Sequence, residues 1–407
     1  MDFAFTTEQE TARKKAREFL DKEIAPIANK RDQEGPLSRE EVIEFARKLE
    51  PVELGFTTFK NIKRQFKDPL TYFLLREEFA RVWCSLVASI TWSLPAMAII
   101  VAPNELREKL LPRLNEGNLI GSIAITEPGA GSDTRILQTK ATLSGGNYTI
   151  NGTKTWITNA TIADVLVVLA RDKGENRQLI LVDKESSPFQ TRELQKLGLR
   201  ACPMGEIYFD DCKVPKECNV MNRMMALIAS GELADLTGEY DVVMSDLPAE
   251  LLKLPILQLL FIILHMSIAA MGTGLSSAAL DASVAYAKQR TQFKKPIASF
   301  QMVQGRIYDM LALTEASRLL TYRAADALKR GEEGIRWRAA LAMAFATEAA
   351  NKVTYDAIQI HGGIGLSGEY PLERYYRDAR MLTIAGGATD IQKLVLGREI
   401  LGVSALT

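Results

Sequence analysis

The residues best suited to chemistry fall in two short stretches near the middle of the chain. The first, Ala124-Ile-Thr-Glu-Pro-Gly-Ala-Gly-Ser-Asp133, leaves a strand-like run and enters a turn with two glycines, Gly129 and Gly131, beside the hydroxyls of Thr126 and Ser132. Without a Cβ, such a turn lets backbone N–H groups and hydroxyls approach a polar ligand closely. The second, Trp156-Ile157-Thr158, offers a flat aromatic and a hydroxyl, a pairing suited to an isoalloxazine ring and its N5 edge. Taken singly, each has an ordinary alternative, a glycine turn or a core tryptophan. Metal chemistry is not expected. Cys84, Cys202, Cys212 and Cys218 are scattered without C-x-x-C spacing, and the chain has two histidines.

The elements that must position these stretches change texture twice along the chain. Residues 1–118 read as a helical domain, with a capping start at Thr6 to Glu10 and helical stretches at Arg39–Leu49 and Leu70–Ala88. Residues 119–220 are short β-branched runs punctuated by Gly, Asn and Asp, a small β-barrel-like or sandwich domain in which Asn151-Gly152 marks a tight hairpin. Residues 221–253 fit neither pattern and read as an acidic, exposed insertion. From 254 to 407 the helical period returns and holds, as in a four-helix bundle. The expected fold class is therefore α+β, mainly α. A chain of 407 residues exceeds one ordinary core, and several domains agree with that.

Lys plus Arg balance Asp plus Glu at 50 each, which removes the positive field expected of a nucleic-acid or anionic-membrane binder. The apolar run Leu254–Leu275 approaches a membrane span in length. It contains Pro255, Gln258, His265 and Ser267 and then becomes amphipathic, so a buried helix is expected instead. The charged, amphipathic start lacks a secretory pattern, and the expected compartment is the cytoplasm.

The order TEPGAGSD, INGTKTWIT, Arg290-Thr-Gln-Phe293 with Phe300-Gln301, Gln359-Ile-His-Gly-Gly363 and Arg377-Asp-Ala-Arg380 closely resembles the acyl-CoA dehydrogenase family, over nearly the whole chain. The resemblance implies FAD lying between the β domain and the bundle, an acyl-CoA thioester as substrate, electron-transfer flavoprotein as electron partner, and a homotetramer in which two subunits share each dinucleotide. It gives Ile123, Ile125, Thr126, Gly131, Ser132, Trp156 and Thr158 as flavin contacts from the β domain, with Ser132 also near CoA. Arg290, Phe293, Gln301, Gln359 and Gly363 come from the neighbouring subunit. An arginine pairing with the pyrophosphate and a Gly-Gly step admitting it are chemically reasonable.

The family reaction removes a proton alpha to the thioester while flavin N5 takes hydride from the beta carbon. The base in most members is a glutamate whose place here falls on Gly386, in Ile384-Ala-Gly-Gly-Ala-Thr-Asp-Ile-Gln392. A minority carry it on the first bundle helix, at the place of Leu264. The resemblance sets His265 near the acyl pocket, as a displaced base or polar anchor, and sets Asp390 near the flavin, where helix capping explains it as well. The family's Pro-x-x-x-Gly-Gly loop is replaced by TTFKNIKRQFK, whose basic Lys60–Lys67 stretch reads as a solvated surface. The expected function is an FAD-dependent oxidoreductase working at the alpha-beta, or vinylogous, C–C bond of an atypical acyl-CoA. Two alternatives stay open: an FAD-retaining lyase of desulfinase or decarboxylase type, and a catalytically silent subunit of a hetero-oligomer with a paralogue.

Overall fold

The computed structural model describes residues 4–54, 64, 67–91, 93–232, 248–252 and 254–405. Most of the basic Lys60–Lys67 stretch lies outside them. The helical first third contains α1 (Thr7–Glu23), α2 (Ala25–Gln33), α3 (Arg39–Leu49), α4 (Pro69–Val82), α5 (Cys84–Ser89), α6 (Ser93–Ile100) and α7 (Asn104–Asn115). Thr6 starts α1 with a capping box: its hydroxyl accepts from Gln9 N–H, and the Gln9 side chain accepts from Thr6 N–H. Ser38 and Glu41 repeat the device at α3. The stretch expected as one helix from Leu70 to Ala88 breaks at Trp83, whose backbone is extended (φ −152°, ψ 94°) while its ring is fully buried. Burial of that ring decides the local backbone, a choice helical periodicity does not register.

The middle domain is one sheet of β1 (Gly121–Ala124), β2 (Lys140–Ser144), β3 (Asn147–Thr158), β4 (Val165–Arg171), β5 (Arg177–Asp183), β6 (Gln190–Glu193) and β7 (Met204–Pro215). The strand order is β1-β4-β2-β3-β7-β6, with β5 pairing β4. The tight turn expected at Asn151-Gly152 lies elsewhere. β2 and β3 join at Gly145-Gly146 (φ +57° and +85°), with Ser144 opposite Asn147. Asn151 and Gly152 instead lie inside β3 opposite a bulge in β7: Ile150 pairs with Cys212 and Gly152 with Phe209, so Asp210 and Asp211 face Asn151 alone. Asn151 exchanges hydrogen bonds with Asp211, and Gly152 (φ +144°) leaves room for Thr139, whose Cα would stand 2.7 Å from a Cβ. The glycine is therefore required for close approach to Thr139 rather than for a turn.

The segment after β7 begins as α8 (Val220–Ser230), capped by Asn219, whose side chain accepts from Asn222 N–H. It ends with α9 (Ala249–Leu252); residues 233–247 and 253 are outside the described set. The final third holds α10 (Ile256–Gln289), the β8 and β9 ribbon (Thr291–Gln292 and Lys295–Pro296), α11 (Gln301–Arg330), α12 (Ile335–His361), α13 (Leu372–Leu382) and α14 (Thr389–Leu401). α10 packs against α4, α11 and α12. Its Leu257–Gln289 stretch is long enough to cross a membrane and its most apolar 18-residue window has mean hydropathy 1.8, yet 83% of that window is buried inside the protein. One continuous core therefore joins the first and last thirds.

Candidate active site

The turn after β1 and the end of β3 form one shelf. Thr126 O accepts from Thr155 N–H at 2.9 Å, and Ser122 Oγ donates to Thr158 O. Glu127 and Ala130 exchange backbone hydrogen bonds across the turn. Gly129 and Gly131 are exposed, and a Cβ on either would meet nothing within 4 Å. Ser132 is exposed beside them, while Ile123, Ile125 and Thr126 are half-buried. The pairing of β3 with β7 slips again between Lys154 and Ile157, and Trp156 takes a left-handed backbone (φ +59°) that leaves it 51% exposed. A large aromatic held at positive φ is strained. The shelf thus presents an indole face, the Thr158 hydroxyl and an open glycine turn together.

A second cluster sits at the N-terminal end of α10. Leu264 and Gly386, distant in sequence, meet there: a Cβ on Gly386 (φ +68°) would lie 3.3 Å from Leu264 Cδ2 and 2.6 Å from Ile268 Cδ1. His265 Nε2 is 3.0 Å from Gly386 O. Burial pulls the His265 pKa down to about 4, with the Gly386 carbonyl opposing and Arg336 adding to the fall, so the ring is neutral at pH 7. A neutral imidazole bonded through Nε2 to a carbonyl carries its proton on Nε2 and keeps its lone pair on Nδ1. Phe261 stands beside it, ring centroids 5.9 Å apart, and Leu264 and Ile384 are 38% and 57% exposed. Leu257 and Leu260 of the same helix join the apolar cluster that takes in Ile123 and Ile125, so this end of α10 abuts the shelf. Asp390 turns away from it, its side chain 90% exposed and 4.0 Å from Lys393.

The third group lies at the opposite end of the bundle. Arg290 follows the last turn of α10, and Ile297 N–H donates back to its carbonyl at 2.8 Å, closing the β8 and β9 ribbon. Phe293 is 86% exposed and meets Phe300 edge to face. Gln301 opens α11, while Gln359 and Gly363 sit exposed at the end of α12. His361 ties the two helix ends together: its ring stacks on Tyr286 at 4.1 Å and its Nδ1–H donates to Ala357 O at 2.8 Å, a structural role. The structure therefore collects Arg290, Phe293, Gln301, Gln359 and Gly363 in one place. Along α10, Leu264 and Gln289 are separated by about 38 Å at the ordinary helical rise.

Sequence models of three domains match in succession: the acyl-CoA dehydrogenase N-terminal domain over residues 6–118, the middle domain over 122–212 and the C-terminal domain over 261–401. The chain belongs to the acyl-CoA dehydrogenase family. Among characterised relatives, it is 33% identical to a 3-(aryl)acrylate reductase of Clostridium sporogenes, covering 98% of this chain and 99% of the relative. It is 34% identical to a benzylmalonyl-CoA dehydrogenase of Aromatoleum aromaticum, covering 98% and 100%. Among solved structures, it matches butyryl-CoA dehydrogenase of Megasphaera elsdenii with a TM-score of 0.79 at 29% identity, covering 98% and 100% of the two chains. As an acyl-CoA dehydrogenase family member it is an FAD-dependent oxidoreductase acting on CH–CH groups of acyl-CoA thioesters.

The residues present fit FAD. Trp156 and Thr158 offer a ring face and a hydroxyl, and the Gly129 to Gly131 turn is open where Cβ atoms would otherwise intrude. When bound, FAD supplies the group that exchanges hydride with the substrate carbon. Reasoning from sequence missed two parts of this site. One is Phe261, whose ring stands beside that of the expected His265. The other is a buried Glu127 and Lys154 pair under the shelf, which the sequence around Lys154, flanked by Thr153 and Thr155, does not signal.

Proposed function

We propose that this protein oxidises or reduces the alpha-beta, or vinylogous, C–C bond of a ring-bearing acyl-CoA thioester, with proton handling moved from the family's glutamate to His265. The observation that carries the reading is the meeting of Gly386, Leu264 and His265. The two positions where the family places a carboxylate converge in space, and an imidazole, bonded to the Gly386 carbonyl, is the titratable group found beside them. With Nε2–H engaged on that carbonyl, Nδ1 is the atom free to take the alpha proton. The surroundings, Phe261, Leu264 and Ile384, are apolar and suit a ring or branched chain better than a charged acyl end. The names of the aryl-acrylate reductase and the benzylmalonyl-CoA dehydrogenase support the same class of acyl group.

The placement of the cofactor residues supports a shared site in a homotetramer, or in a hetero-oligomer with a paralogue. Arg290 and its companions stand at the far end of α10 from this chain's own shelf and would complete a neighbour's site. Electron-transfer flavoprotein is the proposed electron partner.

The test is an anaerobic titration of the FAD-loaded protein with saturated phenylpropanoyl, cyclic and straight-chain acyl-CoA thioesters, reading the oxidised flavin band and product mass. Ring-bearing substrates are expected to bleach the flavin and lose two hydrogens. His265→Gln should keep FAD and slow bleaching by roughly 10²–10⁴-fold. An unchanged rate in that variant would remove His265 from the chemistry. A flavin left oxidised by every thioester, or a product lacking a whole substituent, would overturn the oxidoreductase reading in favour of a silent subunit or a lyase.

A further inference from the structure

Lys154 is completely buried, and its ammonium lies 2.8 Å from Glu127 Oε1 and 2.9 Å from Ile125 O. Glu127, 3% exposed, accepts two more hydrogen bonds, from the backbone N–H groups of Gln138 and Thr139. Burial pushes Glu127 upward, but those donors together hold it below its usual value, so it stays a carboxylate. Burial also pulls Lys154 down against the attraction of Glu127. At 2.8 Å, with every partner in hydrogen-bond range, the pair is a charge-assisted contact.

Such a pair is an expensive way to fill a core. Apolar residues of similar volume often hold a fold as well or better, and what a buried pair can add is a single defined geometry. Its position shows which geometry is defined. The Ile125 to Thr126 peptide is trans, so its C=O and N–H point in opposite directions. Fixing Ile125 O inward on Lys154 therefore turns Thr126 N–H outward, away from the ion pair. Lys154 also ends the regular part of β3, immediately before the slip that exposes Trp156. Thr155 N–H, between Lys154 and Trp156, donates to Thr126 O.

We infer that Lys154 and Glu127 are positioning residues for the flavin: they aim the Thr126 N–H and hold the strained Trp156 bulge in the one arrangement that receives the isoalloxazine. The inference rests on the assignment of the shelf to FAD. Neither residue touches the cofactor. Their effect passes through Ile125 O, Thr126 and the backbone of β3.

Two variants test it: Glu127→Gln, which keeps the shape and removes the charge, and the double variant Lys154→Met with Glu127→Leu, which replaces the pair by apolar side chains. The measurements are FAD affinity from fluorescence titration of the apoprotein, visible circular dichroism and midpoint potential of the bound flavin, and thermal unfolding of the apoprotein. The double variant should unfold near the wild-type temperature yet bind FAD at least roughly tenfold more weakly, a readily measured change. Glu127→Gln should loosen FAD in the same direction, and both should shift the flavin's dichroism and potential. Wild-type affinity and dichroism in either folded variant would overturn the inference and leave the pair with a structural role. Failure of the wild-type apoprotein to bind FAD would overturn the shelf assignment instead.

Discussion

Gly386 shows how far one position can be changed without its neighbours. A glutamate restored there meets Ile268 Cδ1 at 2.6 Å from its Cβ and requires a side chain at φ +68°, a conformation that costs L-residues about 1–2 kcal/mol. Overpacking against Ile268 and Leu264 adds about 1–3 kcal/mol. Gly386→Glu alone is therefore expected to lower the unfolding temperature without raising the rate of flavin reduction by straight-chain acyl-CoA. Pairing it with Ile268→Ala should recover much of the lost stability, because the second change removes the atom in the way. Thermal unfolding and stopped-flow reduction of both variants check this. A single variant as stable as wild type would show that the space is open. His265 fits the same local logic, since its proton sits on Nε2 because Gly386 O accepts it.

At the scale of elements, α10 depends on close backbone approach. A Cβ on Gly274 would stand 2.3 Å from Glu77 O and 2.8 Å from Arg81 N of α4, and one on Gly272 would stand 2.9 Å from Ala346 O of α12. Gly274→Ala must push α4 away from α10 and is expected to destabilise by about 1–3 kcal/mol, although alanine is the better helix former; chemical denaturation measures the difference. Periodicity alone could find these helices. The Arg39–Leu49 helix and the capping box at Thr6 were legible because each is encoded in a few contiguous residues. The burial of α10 was expected from its interrupting polar residues, and its neighbours explain it: α4, α11 and α12 cover most of its apolar stretch, while Asp281 and Lys288 further along stay exposed. The Asn151-Gly152 step misled because the strand register that separates a mid-strand position from a hairpin is set by β7, far along the chain. The glycine turn and the Trp156 stretch were recognisable as motifs. The meeting of His265 with Gly386, 121 positions apart, is a tertiary contact that no local pattern encodes.

The three domains are clasped at one buried point. Asp32 of α2 accepts from Ser85 Oγ, from Ala201 N–H and from Arg377 Nη2 at 3.1 Å, while Asp378 accepts from Leu199 N–H at 2.6 Å. The β-domain loop carrying Leu199 and Ala201 is thereby gripped between the helical first and last thirds, and Gly198 packs so closely that a Cβ would stand 2.2 Å from Arg377 O. Two buried acids share the charge of Arg377. Burial first, and then the Asp32 charge, push Asp378 up to about 7 from its ordinary 3.8. The folded protein therefore binds a proton there that the unfolded chain has already released. Between these two values stability falls as pH rises, because the unfolded state holds fewer protons than the folded one. Asp378→Asn can still accept from Leu199 N–H and has no charge to lose, so it should remove this component. Unfolding temperatures of the two proteins measured from about pH 5 to about pH 8 should converge at the acid end and separate toward the alkaline end, with the variant higher. Parallel curves would show that the clasp holds Asp378 ionised throughout, with Arg377 and Arg374 outweighing the burial.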